Sequence, residues 1–464
     1  MSSTPPAWRA ILATLALMAL AVCTGGCQRH PGAGAGATKT QSQRRSSTAA
    51  ALPAEALDCI AQCLEAPATA EHAPLARTWL AIARLRVPPA HPQLAPLKEH
   101  VLKQAAQAGD KPPPELAAAW LYFAPRPAER FILARVQADG GQYLESLRFL
   151  PETGRRVLKR LDIAALAKPE AYRVVSLLQS WGDISAGDEP LLRALSKRGE
   201  PEIALWATGQ LARLHPQDEA LSDKLFSAVR DAVPEGFSAA AEGARVSGLP
   251  KLADAFVPTC AKAQLGEPPK GQTPAPDREL EFSAYALAYL PGDQAALMRR
   301  KLLSAPWAAV RWQAMLGELL HGDPQPWNDA VAKAGIDDKD LWVTVQPPEA
   351  MDRALLPMYL AAAKSKRLFT RGLAATELNR YAQMKSDPML VEALVLLIHD
   401  AEAEVRATAW YTLGGLGLKI SGIDPLDVVR NKAEQPAVRL AAAYAALAAA
   451  YSELGGAIGG GEMR

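Results

Sequence analysis

From residue 51 onward, apolar residues recur every three or four positions, in segments of 10–18 residues divided by Pro, Gly and Asp. That spacing is the period of an α-helix. Runs of alternating Val, Ile, Thr and Tyr, which would mark strands, are few. Ala and Leu dominate instead, and aromatic residues make up only 6% of the chain. The pattern predicts an all-α body of short helices with short connections. At about 414 residues, that body is longer than one compact core normally occupies.

The last third shows a repeat. Asp387-Pro388 is a helix start, a capping residue followed by proline at the first helical position. The helix it opens runs through Leu390, Leu394, Leu397 and Ile398 to His399-Asp400. A second begins near Glu402 and carries Val405-Arg406 and Ala409, then Leu413, with Gly414-Gly415 as its expected stop. Val405, Ala409 and Leu413 are four apart and form one buried stripe, in which the small Ala409 admits a close neighbour. Asp424-Pro425 restarts the pattern 37 residues after Asp387, and Val438-Arg439 with Ala442 begins the partner helix. Val310-Arg311-Trp312-Gln313-Ala314 repeats the core once more, with Ser304 as its cap. Ile203, Ala207 and Leu211 keep the spacing without the arginine.

Three copies of Val-Arg-x-x-Ala resemble the HEAT-repeat family, most closely over 400–414. The resemblance implies an α-solenoid of paired antiparallel helices, in one or two blocks. The stretch 266–277 contains four prolines and no apolar period, so it reads as a linker. It divides an N-terminal helical-repeat block, 51–265, from a C-terminal HEAT-like block, 278–454, followed by a Gly-rich tail, 455–464.

The chain opens differently. Trp8-Arg9 precedes an apolar run from Ile11 to Val22, which ends in Thr24-Gly25-Gly26-Cys27. A basic start, a short apolar segment and small residues before a cut site read as an export signal. The run is shorter than the roughly 20 residues of a spanning helix. Its ending resembles the bacterial lipoprotein signal. That implies a signal peptide over 1–26, a lipid on Cys27, and a protein anchored to a membrane of the cell envelope, facing the periplasm or exterior. A plain secretory signal with an incidental cysteine is the alternative. Residues 27–50 are rich in Gly, Ser and Thr and lack aromatics, so they read as a flexible tether.

Arg9, Arg29, Lys39, Arg44 and Arg45 are the only charged residues in the first fifty. The body therefore has 46 basic against 49 acidic residues, a net of −3. It carries no electrostatic footprint for nucleic acid, which is excluded as a partner.

Sequence motifs for catalysis are missing. No Gly-rich phosphate loop, Gly-x-Ser-x-Gly elbow or His-Glu-x-x-His helix is present, and no cofactor or metal is expected. His399-Asp400 and His321-Gly322-Asp323 read as helix ends, with each aspartate serving the next helix. The acidic turn at 337–340 lacks the spacing of a calcium loop. Cys59 and Cys63 lie one helical turn apart, in poor geometry for a mutual disulfide. A bridge from either to Cys260 is open, as is the simpler role of three small buried residues.

Trp307, Trp312, Trp327 and Trp342 cluster in one stretch, where stacked indoles would suit a binding surface or inter-repeat packing. The resulting expectation is a non-catalytic, membrane-anchored scaffold that binds another protein or an envelope polymer. A HEAT-like lyase with a pocket in the helical body, or a passive spacer, are the competing readings.

Overall fold

The computed structural model describes residues 51–65, 73–138, 141–182, 184–262, 277–334 and 353–453. The leader, the tether with Cys27, the Pro-rich stretch 266–276, the acidic turn 337–340, Trp342 and the tail lie outside the described residues.

Among the described residues there is no strand. The first helices are α1 (Ala54–Glu65), α2 (Ala73–Ala83), α3 (Ala95–Ala108), α4 (Pro114–Phe123), α5 (Pro125–Ala138), α6 (Pro151–Leu158) and α7 (Lys168–Trp181). They are followed by α8 (Glu189–Leu195), α9 (Pro201–Leu214), α10 (Glu219–Arg230), α11 (Pro234–Ser247), α12 (Val257–Lys262), α13 (Arg278–Tyr289), α14 (Asp293–Leu302), α15 (Ala308–Leu320) and α16 (Gln325–Ala334). The remainder are α17 (Leu356–Ala363), α18 (Leu368–Glu377), α19 (Pro388–Ile398), α20 (Ala403–Leu416), α21 (Pro425–Arg430) and α22 (Pro436–Glu453).

Proline explains many of the starts. Its fixed φ suits the first helical turn, where its missing N–H costs nothing. Aspartate supplies the caps: Asp218, Asp277, Asp387 and Asp424 each accept a backbone N–H of the first turn. Asp400 holds the N–H of Glu402 at 2.9 Å and His399 closes α19, the helix-end roles expected of this pair. Ser304 does not cap the following helix. Its hydroxyl donates to the Lys301 carbonyl at the end of α14, and α15 starts after Trp307.

The helices form two packing units. One is continuous, from Gly154 to Ala374. The other is split, joining residues up to Thr153 with those from Ala375 onward. In the continuous unit, α9, α11, α13 and α15 pack on one another in succession. The intervening α10, the 3-10 segment Pro250–Phe256 and α14 form a second succession beside them. This alternation is the packing of stacked helix pairs, in which each pair buries the face its neighbour leaves open. One core runs from Ala212 through Leu225, Phe256 and Cys260 to Leu280, Leu302 and Ala314. Helices on both sides of the Pro-rich stretch share that core. By packing, the units divide after residues 153 and 374.

The split unit has the same construction with an unexpected order. Helix α20 packs on α22, α22 on α2, and α2 on α4. On the other side α21 packs on α1 and α1 on α3. The last helix pairs of the chain thus stack directly on the first.

A side-chain device recurs with the repeat. Arg406 Nη1 donates to the carbonyls of Asp400 and Ala401, at 2.7 and 2.9 Å. Arg311 Nη1 donates to Ala305 and Pro306, at 2.7 and 2.8 Å. Both brackets tie the helix to the turn that enters it. Arg371 does the same to Ser365 at 2.9 Å, which identifies Thr370-Arg371 with Ala374 as a further copy bearing Thr in place of Val. Val405, Ala409 and Leu413 are all buried, as their spacing requires.

Gly414 and Gly415 do not stop α20, which continues to Leu416 and ends at left-handed Gly417. The ending is a paired one: Gly417 N–H bonds Gly414 and Leu418 N–H bonds Leu413. The two inner glycines instead permit close packing. A Cβ on Gly414 would lie 2.6 Å from the Tyr444 ring and 2.9 Å from Ala445 Cα. At the α9–α11 crossing the approach is closer still, with a Cβ on Gly209 falling 2.2 Å from the Gly243 carbonyl oxygen.

Candidate functional site

Two of the four clustered tryptophans belong to the interior. Trp312 on α15 and Trp327 on α16 are 5% and 3% exposed, with ring centroids 5.8 Å apart at 61°. Trp307 is half-buried against the core of the continuous unit. Trp312 and Trp327 join α15 to α16, and Trp307 joins the start of α15 to the core. Trp312 and Trp327 take the inter-repeat packing that the sequence also allowed: indole is mainly apolar area, and the helix pair buries it. Trp342 and Cys27 lie outside the described residues.

A different constellation stands out in the split unit. Arg84 follows the last residue of α2 and is 7% exposed. Its Cζ lies 4.5 Å from the centre of the Phe149 ring and 5.4 Å from that of Tyr411 on α20. The Tyr411 and Tyr444 rings are 5.6 Å apart, and the Tyr444 hydroxyl donates to the Arg84 carbonyl at 3.3 Å. Nearby, the Tyr122 hydroxyl donates to the Val87 carbonyl. The stacking order of the helices brings these residues together, since α22 must meet α2 for Tyr444 to reach Arg84.

The polar groups at the centre are unmatched. Arg84 Nε and Nη2 and the Tyr411 hydroxyl are buried without a hydrogen-bond partner. Burial pushes the Tyr411 phenol well above its ordinary pKa, while the positive charges of Arg84 and Arg77 act in the opposite direction. Cys63 is also close enough to influence Tyr411.

Cys59, Cys63 and Cys260 are all free thiols. Cys59 and Cys63 hydrogen-bond to each other along α1. That contact lowers the pKa of Cys63, helped by the Arg439 charge, and raises that of Cys59. Burial pushes the Cys260 thiol up to about 12, as expected of an inert core cysteine. Among the described residues no group of three or more His, Cys, Asp or Glu is placed to hold a metal ion.

Arg84 was open to detection in one respect. It interrupts the apolar run Trp79-Leu80-Ala81-Ile82-Ala83, and no acid lies within ten residues on either side. Its aromatic partners gave no local signal, because Tyr411 is 327 positions away. No protein-family model matches the chain, and neither a curated protein nor a solved structure shows significant similarity to it.

Proposed function

We propose that this protein is a lipid-anchored helical-repeat scaffold of the bacterial cell envelope, held through Cys27 and binding another protein or an envelope polymer. The observation that carries the reading is the stacking of alternate helices through α9, α11, α13 and α15. A stack of helix pairs presents side chains from many successive turns to one extended ligand. The recurrent arginine bracket at Arg311, Arg371 and Arg406 supports the kinship of these pairs. A lipid anchor would keep the scaffold near the membrane and raise its effective concentration for partners there. An exposed apolar pair, Leu368 and Phe369, at 45% and 42% exposure beside exposed Lys366 and Arg367, is a place for such contact.

The test is cross-linking of the tagged protein in intact cells, comparing wild type with Cys27→Ser and with the double variant Leu368→Ser/Phe369→Ser. The scaffold reading expects one or two envelope components recovered near stoichiometrically with wild type and lost with Cys27→Ser. Loss with the double variant would locate the contact. Equal recovery from wild type and Cys27→Ser would remove the anchor from the mechanism, and no specific recovery from any form would overturn the scaffold.

A further inference from the structure

Cys59 and Cys63 differ although they share one helix. They lie four residues apart on α1, so their side chains sit on one face, a turn from each other. Cys59 belongs to the core and is 6% exposed, whereas Cys63 is half-buried, with part of its surface open to solvent. The inner thiol donates its S–H to the outer sulfur. Thr78 of α2, itself buried, donates its hydroxyl to the same sulfur, and the guanidinium of Arg439 on α22 adds positive charge.

Other helices packed on α1 leave that sulfur to these groups. His100 of α3 meets Glu65, and Arg430 of α21 meets Glu55. Tyr411 of α20 feels the charge on Cys63, but burial holds its phenol neutral. Two donors and a cation around one sulfur stabilise a thiolate, which is the reactive form of cysteine. The Cys59 hydrogen bond has the largest influence, burial opposes it, Arg439 and Thr78 support it, and the Cys63 pKa falls to about 7. Cys260 has none of these donors. It is fully buried, and its thiol is pushed up to about 12.

We propose that Cys63 is a thiol-exchange site that takes a small-molecule disulfide and carries one half of it as a mixed disulfide, with Cys59 as a positioning residue. The Cys63 thiolate attacks one sulfur of the disulfide. A bond forms between the two sulfurs, the original S–S bond breaks, and the other half leaves as a thiolate that takes up the proton Cys63 released. Cys63 is oxidised and the departing half is reduced, so no further oxidant is needed. The reaction stops at the adduct. Parallel side chains on one intact helix cannot adopt the dihedral of a Cys59–Cys63 bridge, and Cys59, whose pKa is raised by its contact with Cys63 and by burial, is a poor attacking thiol. The site is independent of whether Cys27 carries a lipid.

The experiment incubates the folded full chain with glutathione disulfide, quenches in acid, and locates the adduct by fragment mass spectrometry. At pH 7, Cys63 should be modified at least about tenfold faster than Cys59 or Cys260, because buried thiols react only after local opening. The Cys63 rate should rise with pH through an inflection near 7. Cys59→Ala removes the donor, so the inflection moves up. Its rate at pH 7 falls about fivefold, since the smaller thiolate fraction is partly offset by stronger intrinsic nucleophilicity. Cys59→Ser, whose hydroxyl can donate the same bond, should restore most of the wild-type profile, and it decides the matter if the alanine variant does not fold. Equal rates for Cys63 and Cys260 in the folded chain would overturn the site. So would an inflection at the ordinary thiol value, or a Cys59–Cys63 disulfide in place of the adduct. A profile unchanged in Cys59→Ala would remove Cys59 from the mechanism.

Discussion

Arg299 and Arg84 are both sunk in the helical body, one in each packing unit, and they are treated differently. Arg299 Nε bonds Glu318 at 2.9 Å, and its Nη1 takes the carbonyls of Leu287 and Leu290 at 3.0 and 2.9 Å. The side chains of Arg299 and Glu318 are only 3% and 4% exposed. Burial lowers the Arg299 pKa, and Glu318 pulls it back. Through these bonds Arg299, on α14, ties the end of α13 to α15. Arg84 has rings where Arg299 has an acid, and its fork is empty of protein partners. A buried charge that the chain itself satisfies is a piece of the fold. Arg84 is a buried charge held by rings alone, with Nε and Nη2 left without a hydrogen-bond partner.

The largest effect should come from breaking the satisfied centre. Glu318→Gln leaves Arg299 buried opposite a neutral group, and removing one partner of a buried pair costs about 3–5 kcal/mol. Chemical denaturation should show an unfolding free energy lower by that amount. Arg84→Met should behave in the opposite manner. It loses cation–π contacts worth about 0.5–2 kcal/mol and removes a desolvation cost of several kcal/mol. Stability should therefore stay level or rise. A loss from Arg84→Met as large as that from Glu318→Gln would erase the contrast.

The next effect tests the close crossings. A Cβ at Gly209 meets the Gly243 carbonyl oxygen at 2.2 Å, and the obstacle is backbone. A Cβ at Gly415 meets Asn379 Oδ1 at the same 2.2 Å, but that is a side-chain tip that can turn away. Gly209→Ala should cost about 1–3 kcal/mol, because α9 and α11 must separate. Gly415→Ala should cost clearly less, although both glycines look alike in sequence. Matched urea titrations of the two variants decide it.

These glycines also show where sequence stopped being informative. The stripe of Val405, Ala409 and Leu413 was legible because a helix writes its own period into the chain. The caps at Asp387 and Asp424 were legible because each acts within three residues. Gly414-Gly415 was read as a stop because glycine ends helices more often than it lets them touch. The reason for its presence is Tyr444 and Ala445 on another helix, which no local pattern reveals. The arginine fork at Arg84 has the same difficulty in stronger form, with its surroundings drawn from both ends of the chain. Trp312 and Trp327 lie near each other in sequence because α15 and α16 are consecutive and in contact, which is the inter-repeat packing the stretch also allowed.

A pH effect should separate a third kind of buried charge. Glu377 is 6% exposed, and burial raises its pKa despite Arg380 at 3.2 Å. Its folded pKa therefore exceeds the unfolded one, so the folded state holds the proton more tightly. Stability from this group is fully present below the unfolded pKa, near the ordinary value of 4.5, and is lost as pH rises through the folded value. Glu377→Gln keeps a neutral group at all pH values. The variant should gain on wild type as pH rises, with the difference fading in acid. Denaturation midpoints of the pair across pH would show a flat difference if the carboxyl were not buried in this way.

The smallest effect belongs to a contact that spans the two ends of the chain. Arg430 on α21 meets Glu55 on α1 at 2.8 Å, and both side chains are 51% exposed. On paper it looks like a clasp for the place where the last helix pair stacks on the first. Exposed ion pairs gain little, because water solvates both charges and salt screens them. The joint is held instead by apolar packing of α22 on α1 and α2 and by Tyr444. Arg430→Ala should leave the denaturation midpoint unchanged at physiological salt. Tyr444→Ala should lower the unfolding free energy by about 3–5 kcal/mol, the range for deleting a large buried aromatic side chain. If Arg430→Ala were instead the damaging variant, the joining of the chain ends would be electrostatic, and it would loosen as salt is raised.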